Sequence, residues 1–313
     1  MTMWNLSFAP PIVIQAAVFA RVPDGLRMAR HSPWADANKQ GQLVDCFLEG
    51  PAFSQDGALY LTDVPHGRIL RVNAPDDWTV IADGLGWPNG LAIHQDGSLL
   101  VADYRHGIIR VDAATGALET VLGTRNSESF KGVNDLVFDS SGNLYFTDQG
   151  QTGLHDPTGR VYRHRVDGGL DCLVSNVPSP NGIALNAEGN VLFVAVTRAN
   201  QVWRAPIMRD GTISKMGAFQ TLFGTSGPDG LAPTADGGLV VAHASLGGAF
   251  VLNAAGEVTH YVRSPTGHNI TNVAFKPGTS SLFLTESQTG TVLTAELPVC
   301  GASIYSHSSV TFD

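Results

Sequence analysis

The stretch Ser179–Asn190, SPNGIALNAEGN, decides how the chain is read. It holds a small polar residue, a glycine, a short apolar run and a Gly-containing turn. Two relatives stand elsewhere, WPNGLAIHQDGS from Trp87 and GPDGLAPTADGG from Gly227. Working outward, six segments align: EGPAFSQDGALYLTD from Glu49, NGLAIHQDGSLLVAD from Asn89, NDLVFDSSGNLYFTD from Asn134, NGIALNAEGNVLFVAV from Asn181, DGLAPTADGGLVVAH from Asp229 and TNVAFKPGTSSLFLTE from Thr271. Their starts lie 40, 45, 47, 48 and 42 residues apart. Each is a strand-length apolar run, a hairpin turn and a second run. A third run follows most pairs, such as RILRVNA or RVYRHRVDG, and then a fourth, such as WTVIADG or LDCLVSN. Four strands at this period are the spacing of propeller blades.

The expected fold is therefore all-β: a six-bladed β-propeller with four antiparallel strands per blade. Blade six lacks its outer strand. QLVDCFLE, Gln42–Glu49, is the expected supplier, closing the ring with both ends of the chain and leaving no open sheet edge. Residues 42–313 then form one propeller domain. Residues 1–41 form an extension packed on the ring's outside or over one mouth.

Composition excludes several function classes. The 313 residues are 43% hydrophobic and 15% charged, as in a globular protein, and the 35 glycines fit many tight turns. The net charge of −9 offers no basic field for nucleic acid. No stretch approaches the ~18 apolar residues of a membrane span. The apolar PPIVIQAAVFA, from Pro10, lacks the basic flank of a secretory signal. The three cysteines, Cys46, Cys172 and Cys300, are an odd, sparse set. They read as free thiols of a cytoplasmic protein, and their spacing argues against thiolate zinc.

In a propeller the starts of the innermost strands, A, surround the channel on one face. The six residues there are Glu49, Asn89, Asn134, Asn181, Asp229 and Thr271, and all offer oxygen. Converging oxygens suit a hard divalent cation, Ca²⁺ first, then Mg²⁺ or Mn²⁺. The competing reading is that Asn-Gly and Asp-Gly merely make turns. Against it, these residues precede strand A, where no hairpin turn is needed, and Glu is no favoured turn residue.

Strand B returns to the same face, so the B–C loops rim the same mouth. They hold Pro65 and His66; Tyr104, Arg105 and His106; Gln149–Gly159 with Gln151 and His155; Arg198 and Asn200; and Ser245. The blade-three loop is the longest, as pocket walls often are. Strand B ends on Asp63, Asp103, Asp148, Val196, His243 and Glu286. The acids there either support the site from behind or cap turns. His243 is either a pocket base or a packed histidine. His268 enters blade six at the mouth. No HExxH, GxSxG, phosphate-loop or dinucleotide fingerprint is present.

With EGP at Glu49, ND at Asn134, PNG at Pro180 and PDG at Pro228 in this order, the chain resembles the SMP-30/gluconolactonase/luciferin-regenerating-enzyme-like family, and more distantly diisopropyl fluorophosphatase and the paraoxonases. The resemblance runs from about Leu43 to Leu297. It implies a six-bladed propeller in which Glu49, Asn134, Asn181 and Asp229 hold one divalent metal, Ca²⁺ before Zn²⁺, Mg²⁺ or Mn²⁺. It also implies hydrolysis of a lactone or related ester, with Asp229 as base or nucleophile. Sugar-lactone hydrolases of the family often carry an arginine two residues before the ND asparagine. Here that position is Gly132, with Lys131 one step earlier. The candidate substrate contacts are Asn89, Tyr104, Arg105, His106, Lys131, Gln151, His243 and His268. The partner expected is a small-molecule lactone or ester. Two alternatives stand beside this: phosphotriester or aryl-ester hydrolysis, and a non-catalytic propeller with a structural Ca²⁺.

Overall fold

A computed structural model describes residues 9–308. Six sheets radiate from one axis. Their A strands are Leu48–Phe53, Pro88–Ile93, Val133–Phe138, Pro180–Leu185, Pro228–Pro233 and Ile270–Phe275. Each touches the next, and the sixth touches the first, so the ring is closed. Within each blade the strands run antiparallel in sequence order. Every B strand but one is buried along its whole length, Ser281–Glu286 being half-buried only at Ser281. Neighbouring blades cover both of its faces, which is why these strands read as continuous apolar runs, such as VLFVAV and LVVAH, rather than alternating ones.

The ring does close through the N-terminal part of the chain, but with a different strand from the one expected. Ala17–Arg21 pairs antiparallel with Thr291–Glu296 and forms the outer strand of blade six. Phe19 meets Phe283 edge-on at 5.0 Å, anchoring it. Just before it, Ile12–Gln15 pairs in parallel with Val258–Arg263, making blade five five-stranded. The apolar PPIVIQAAVFA thus straddles the seam between the last two blades.

Gln42–Glu49 cannot close the ring for a geometric reason. Leu48 and Glu49 already begin the innermost strand of blade one. A four-stranded blade is about 14 Å wide between its inner and outer strands. One residue cannot cross that distance. Residues 42–47 are instead an entry loop, with Val44 bridged to Arg30.

Two further segments cap the channel ends. On the mouth face a short helix, Pro33–Asn38, starts where Ser32 Oγ accepts the Ala35 N–H at 3.1 Å. Its Trp34 and Ala35 pack with Val64, Phe47 and Trp87. At the far end, Ala302–Ser308 lies against the A–B turns. Gln55 Nε2 donates to Ser306 O at 2.6 Å, and Tyr305 packs on Phe138 at 4.9 Å. Among the described residues no helix is long and apolar enough to cross a membrane. Cys46, Cys172 and Cys300 are free thiols, and burial pushes Cys46 up to about 12.

Candidate active site

The six expected oxygen donors occupy one register position. In every blade the preceding residue pairs with the last residue of strand B: Leu48 with Asp63, Pro88 with Asp103, Val133 with Asp148, Pro180 with Val196, Pro228 with His243 and Ile270 with Glu286. A register shift follows in all six A strands, directly after that pair in blades two to six and one residue later in blade one, where Glu49 still pairs with Thr62. Such a bulge re-aims a side chain that regular pairing would hold in the sheet. Threonine and serine hydroxyls then stitch these irregular starts across blades. Thr62 Oγ1 donates to Asn89 O at 2.6 Å, Thr147 Oγ1 to Asn181 O at 2.8 Å, and Thr271 Oγ1 to Leu48 O at 2.8 Å. The Thr of the LTD and FTD motifs is therefore a ring fastener. Thr271 itself is tied to Leu48, Thr285 and Ser287, which makes it a fastener rather than a donor to the axis.

The next position builds a second layer that the sequence reading passed over. It holds Gly50, Gly90, Asp135, Gly182, Gly230 and Asn272. A Cβ on Gly90 would strike the Asp135 carboxylate, and one on Gly230 would strike the Asn272 amide. Glycine in one blade thus makes room for a polar side chain from the next. Asn272 Nδ2 donates to Glu49 Oε2 at 2.9 Å, and the Gly50 N–H donates to the same oxygen at 2.9 Å. Asp135 accepts from Leu136 N at 2.9 Å and from Ile183 N at 3.3 Å. The signal for Asp135 and Asn272 was their break in the glycine pattern.

Glu49, Asn134 and Asp229 are 6%, 9% and 7% exposed. Asn134 gives its amide nitrogen to Gln149 Oε1 at 2.9 Å, and Gln149 Nε2 donates to Ser179 Oγ at 3.0 Å. This chain turns the Asn134 carbonyl oxygen away from Gln149. Asp229 Oδ1 is buried and has no hydrogen-bond partner among the described residues. Burial pushes Glu49 up to about 7. Burial and then the Glu49 charge push Asp135 up to about 8. Asp229 is raised well above the carboxylate range by burial, then by Glu49 and Asp135, with Lys39 and Arg198 opposing. Glu49, Asp135 and Asp229 therefore share one electrostatic neighbourhood, as like charges in a poorly solvated place do. Asn181 joins them by register, on strand Pro180–Leu185.

No group of three or more His, Cys, Asp or Glu side chains stands ready to hold a metal ion among the described residues. Of the four expected ligands only Glu49 and Asp229 are carboxylates; the rest are amides. The donor set is all oxygen, which fits a hard cation and not a thiolate or imidazole metal. The orphaned Asp229 oxygen and the crowded carboxylates are what a cation would relieve.

The strand B ends cap turns. Asp103 accepts from the backbone of Gly86, Trp87, Arg105 and His106. Asp63 accepts from Phe47 N and pairs with Arg68, and Asp148 accepts from Gly132 N. Glu286 holds Gln288 and Thr289. His243 is 0% exposed, edge-on to Phe250, with its pKa lowered to about 4 by burial. It packs the entry to blade five and offers no exposed surface to a ligand.

The other expected contacts lie at the rim. Tyr104 lies tilted against Trp87 at 5.2 Å, and its hydroxyl accepts from Gln151 Nε2 at 3.2 Å. Arg105 sits 5.7 Å from the Trp87 ring. Asn89 turns its amide back to Trp87 O at 3.0 Å. His106, Lys131, Gln151 and His268 are exposed. Gly132 has φ +154°, and a Cβ there would run into the Tyr104 ring. Tyr104 therefore occupies the space in which a longer residue at 132 would begin. Below the carboxylates, on the opposite side from this rim, lies a cavity of about 270 Å³. Asp135 and Asn272 line it, with apolar residues such as Leu91 and Leu136 and the segment Ala302–Ser306.

Residues 47–288 match the SMP-30/gluconolactonase/LRE-like region. The chain belongs to this family. It is 32% identical over 267 residues to "Lactonase drp35" of Staphylococcus saprophyticus, covering 80% of this chain and 81% of that protein. It is 30% identical to the protein of the same name from Staphylococcus epidermidis, covering 83% and 82%. Among solved structures, a gluconolactonase from Xanthomonas campestris superposes with a TM-score of 0.73 at 22% identity, covering 90% of this chain and 98% of that one. A structure described as a calcium-binding protein, regucalcin, from Agrobacterium tumefaciens gives 0.72 at 21% identity, covering 95% and 98%. These structural likenesses concern the fold. Family membership and fold together support a gluconolactonase-like hydrolase function in general terms.

Proposed function

We propose that the protein opens a lactone to its hydroxy acid with the help of one divalent cation, Ca²⁺ before Zn²⁺, Mg²⁺ or Mn²⁺, and that Asp229 is its base or nucleophile. The observation that carries this is Asp229 Oδ1, buried without a hydrogen-bond partner at the axial end of its strand, its carboxyl pushed up by burial and then by Glu49. The lactonases and the calcium-binding regucalcin among its relatives support the reading. Glu49, Asn134, Asn181 and Asp229 are the residues that would hold the cation. When bound, it supplies Lewis-acid polarisation of the ring carbonyl and lowers the charge cost at the reacting oxygen.

The chain's own groups do the rest. Asn272 and Gly50 N–H fix the Glu49 carboxylate, and Gln149 fixes the Asn134 amide, so the donors are oriented before any ligand arrives. Asp229 takes the proton of an attacking water or attacks the carbonyl carbon itself. Relief of like-charge crowding brings its pKa down, which favours the ionised form that either role needs. Tyr104, Gln151 and Trp87 form a half-apolar wall against which the ring lies.

The test is metal add-back. Protein stripped with chelator is given Ca²⁺, Mg²⁺, Mn²⁺ or Zn²⁺, and acid release is followed from aldonolactones, alkyl lactones, aryl esters and phosphotriesters. Restored lactone turnover is the expected result. Recovery of thermal stability without turnover on any substrate would instead make the cation purely structural.

A further inference from the structure

Lys39 stands apart from the other lysines by where the fold puts it. It closes the short helix Pro33–Asn38, its N–H bonded to Ala35 O at 2.7 Å. Trp34 pins that helix to the mouth, 4.6 Å from the Phe47 ring. The Lys39 ammonium lies 4.8 Å from the centre of the same Phe47 ring. Phe47 is itself held, its N–H on Asp63 Oδ1 at 2.9 Å and its carbonyl accepting from Val64. It stands two residues before Glu49. The half-buried ammonium is thus held at the mouth on the blade-one side, and its charge opposes the upward push on Asp229. Arg198, exposed on the turn Thr197–Ala199 of blade four, is a second cation whose charge opposes the upward push on Asp229. Neither Lys39 nor Arg198 forms an ion pair among the described residues.

A divalent cation held by Glu49 and Asp229 would offset their charge. Lys39, half-withdrawn from water and in no ion pair among the described residues, would then lack the pull of Asp229. A cation so placed favours an anion that arrives with the ligand. An aromatic ring beneath its stem holds it without neutralising it. A neutral sugar lactone makes no use of this arrangement.

We propose that Lys39 is a specificity-determining residue that selects lactones bearing a carboxylate outside the ring ester. This rests on the lactone-opening reading and narrows its substrate class. The experiment uses the full-length, metal-loaded protein and a matched pair of γ-lactones, one carrying a ring carboxylate and the other the isosteric primary amide. Wild type is expected to prefer the carboxylate by about ten- to a hundredfold in kcat/KM, the range of a charge-assisted hydrogen bond. Lys39→Met is expected to abolish that preference by slowing the carboxylate alone, and Lys39→Arg to retain most of it. Added salt is expected to weaken the preference in wild type and leave Lys39→Met unchanged. Equal slowing of both lactones by Lys39→Met, or no preference in wild type, would overturn the proposal while leaving lactone opening intact. Absence of turnover on every lactone, with both variants folded by circular dichroism, would sink the functional reading and this inference with it.

Discussion

The two ends of the channel are built from the same six strands, yet they hold opposite chemistry. At the mouth each A strand carries a bulge among its first residues, and the position in or next to it carries Glu, Asn or Asp in five blades. At the far end the same strands pair regularly and show Ala52, Leu91, Leu136 and Ile183 to a cavity partly covered by the segment Ala302–Ser306. Asp135 and Asn272 mark the boundary between them. The difference teaches that site geometry here comes from irregularity at one end of a strand, while regular pairing at the other end supplies rigidity. Bulges are costly to keep, and the cross-blade Thr hydroxyls stabilise them by satisfying carbonyls the ladder leaves open.

If the mouth alone carries the chemistry, Asp229→Asn gives the largest effect. Lactone hydrolysis is expected to fall by at least ~100-fold in a protein that remains folded. Near-normal turnover would erase the functional distinction between the two ends.

A second effect separates the ends through pH. Glu49 at about 7 and Asp135 at about 8 are raised above their ordinary carboxyl values. In the metal-free protein the unfolded chain sheds these protons from about pH 4, while the fold keeps them to about pH 7–8. The folded state therefore binds more protons across that window, and stability falls as pH rises through it. Melting temperature in chelator is expected to drop by several degrees between about pH 5 and 8. Excess Ca²⁺ is expected to flatten the slope, since a cation at the mouth brings these carboxyls down. Identical slopes with and without Ca²⁺ would place the buried charge outside the mouth.

The smallest effect belongs to the far end. Tyr305→Ala removes contacts with Phe138 and His94 and is expected to cost about 1–2 kcal/mol of stability. Turnover is expected to stay within about twofold. A large loss of turnover at unchanged stability would show the two ends to be coupled.

Six blades and the heads of six A strands were legible because each repeat writes the same turn and the same polar residue into a local pattern. Glu49, Asn89, Asn134, Asn181, Asp229 and Thr271 do share one register. Their roles were less legible. Thr271 bonds to blade one across the ring closure, a contact its own repeat does not encode. Asp135 and Asn272 were hidden because the neighbouring Asn134 and Thr271 fitted the pattern and drew the reading. His243 stood at a mouth position by topology, and only packing against Phe250 shows that it is enclosed.

Sequence alone settled how many blades there are, where each begins and which oxygen-bearing side chains share a position, because those features repeat within about 45 residues and need no distant partner. The tertiary structure decided which N-terminal segment completes blade six, what lies across the far end and which aromatic ring Lys39 rests on. The first two join residues far apart in the chain. The outcome depends on which edges and faces the assembled ring leaves uncovered, and no local periodicity records that.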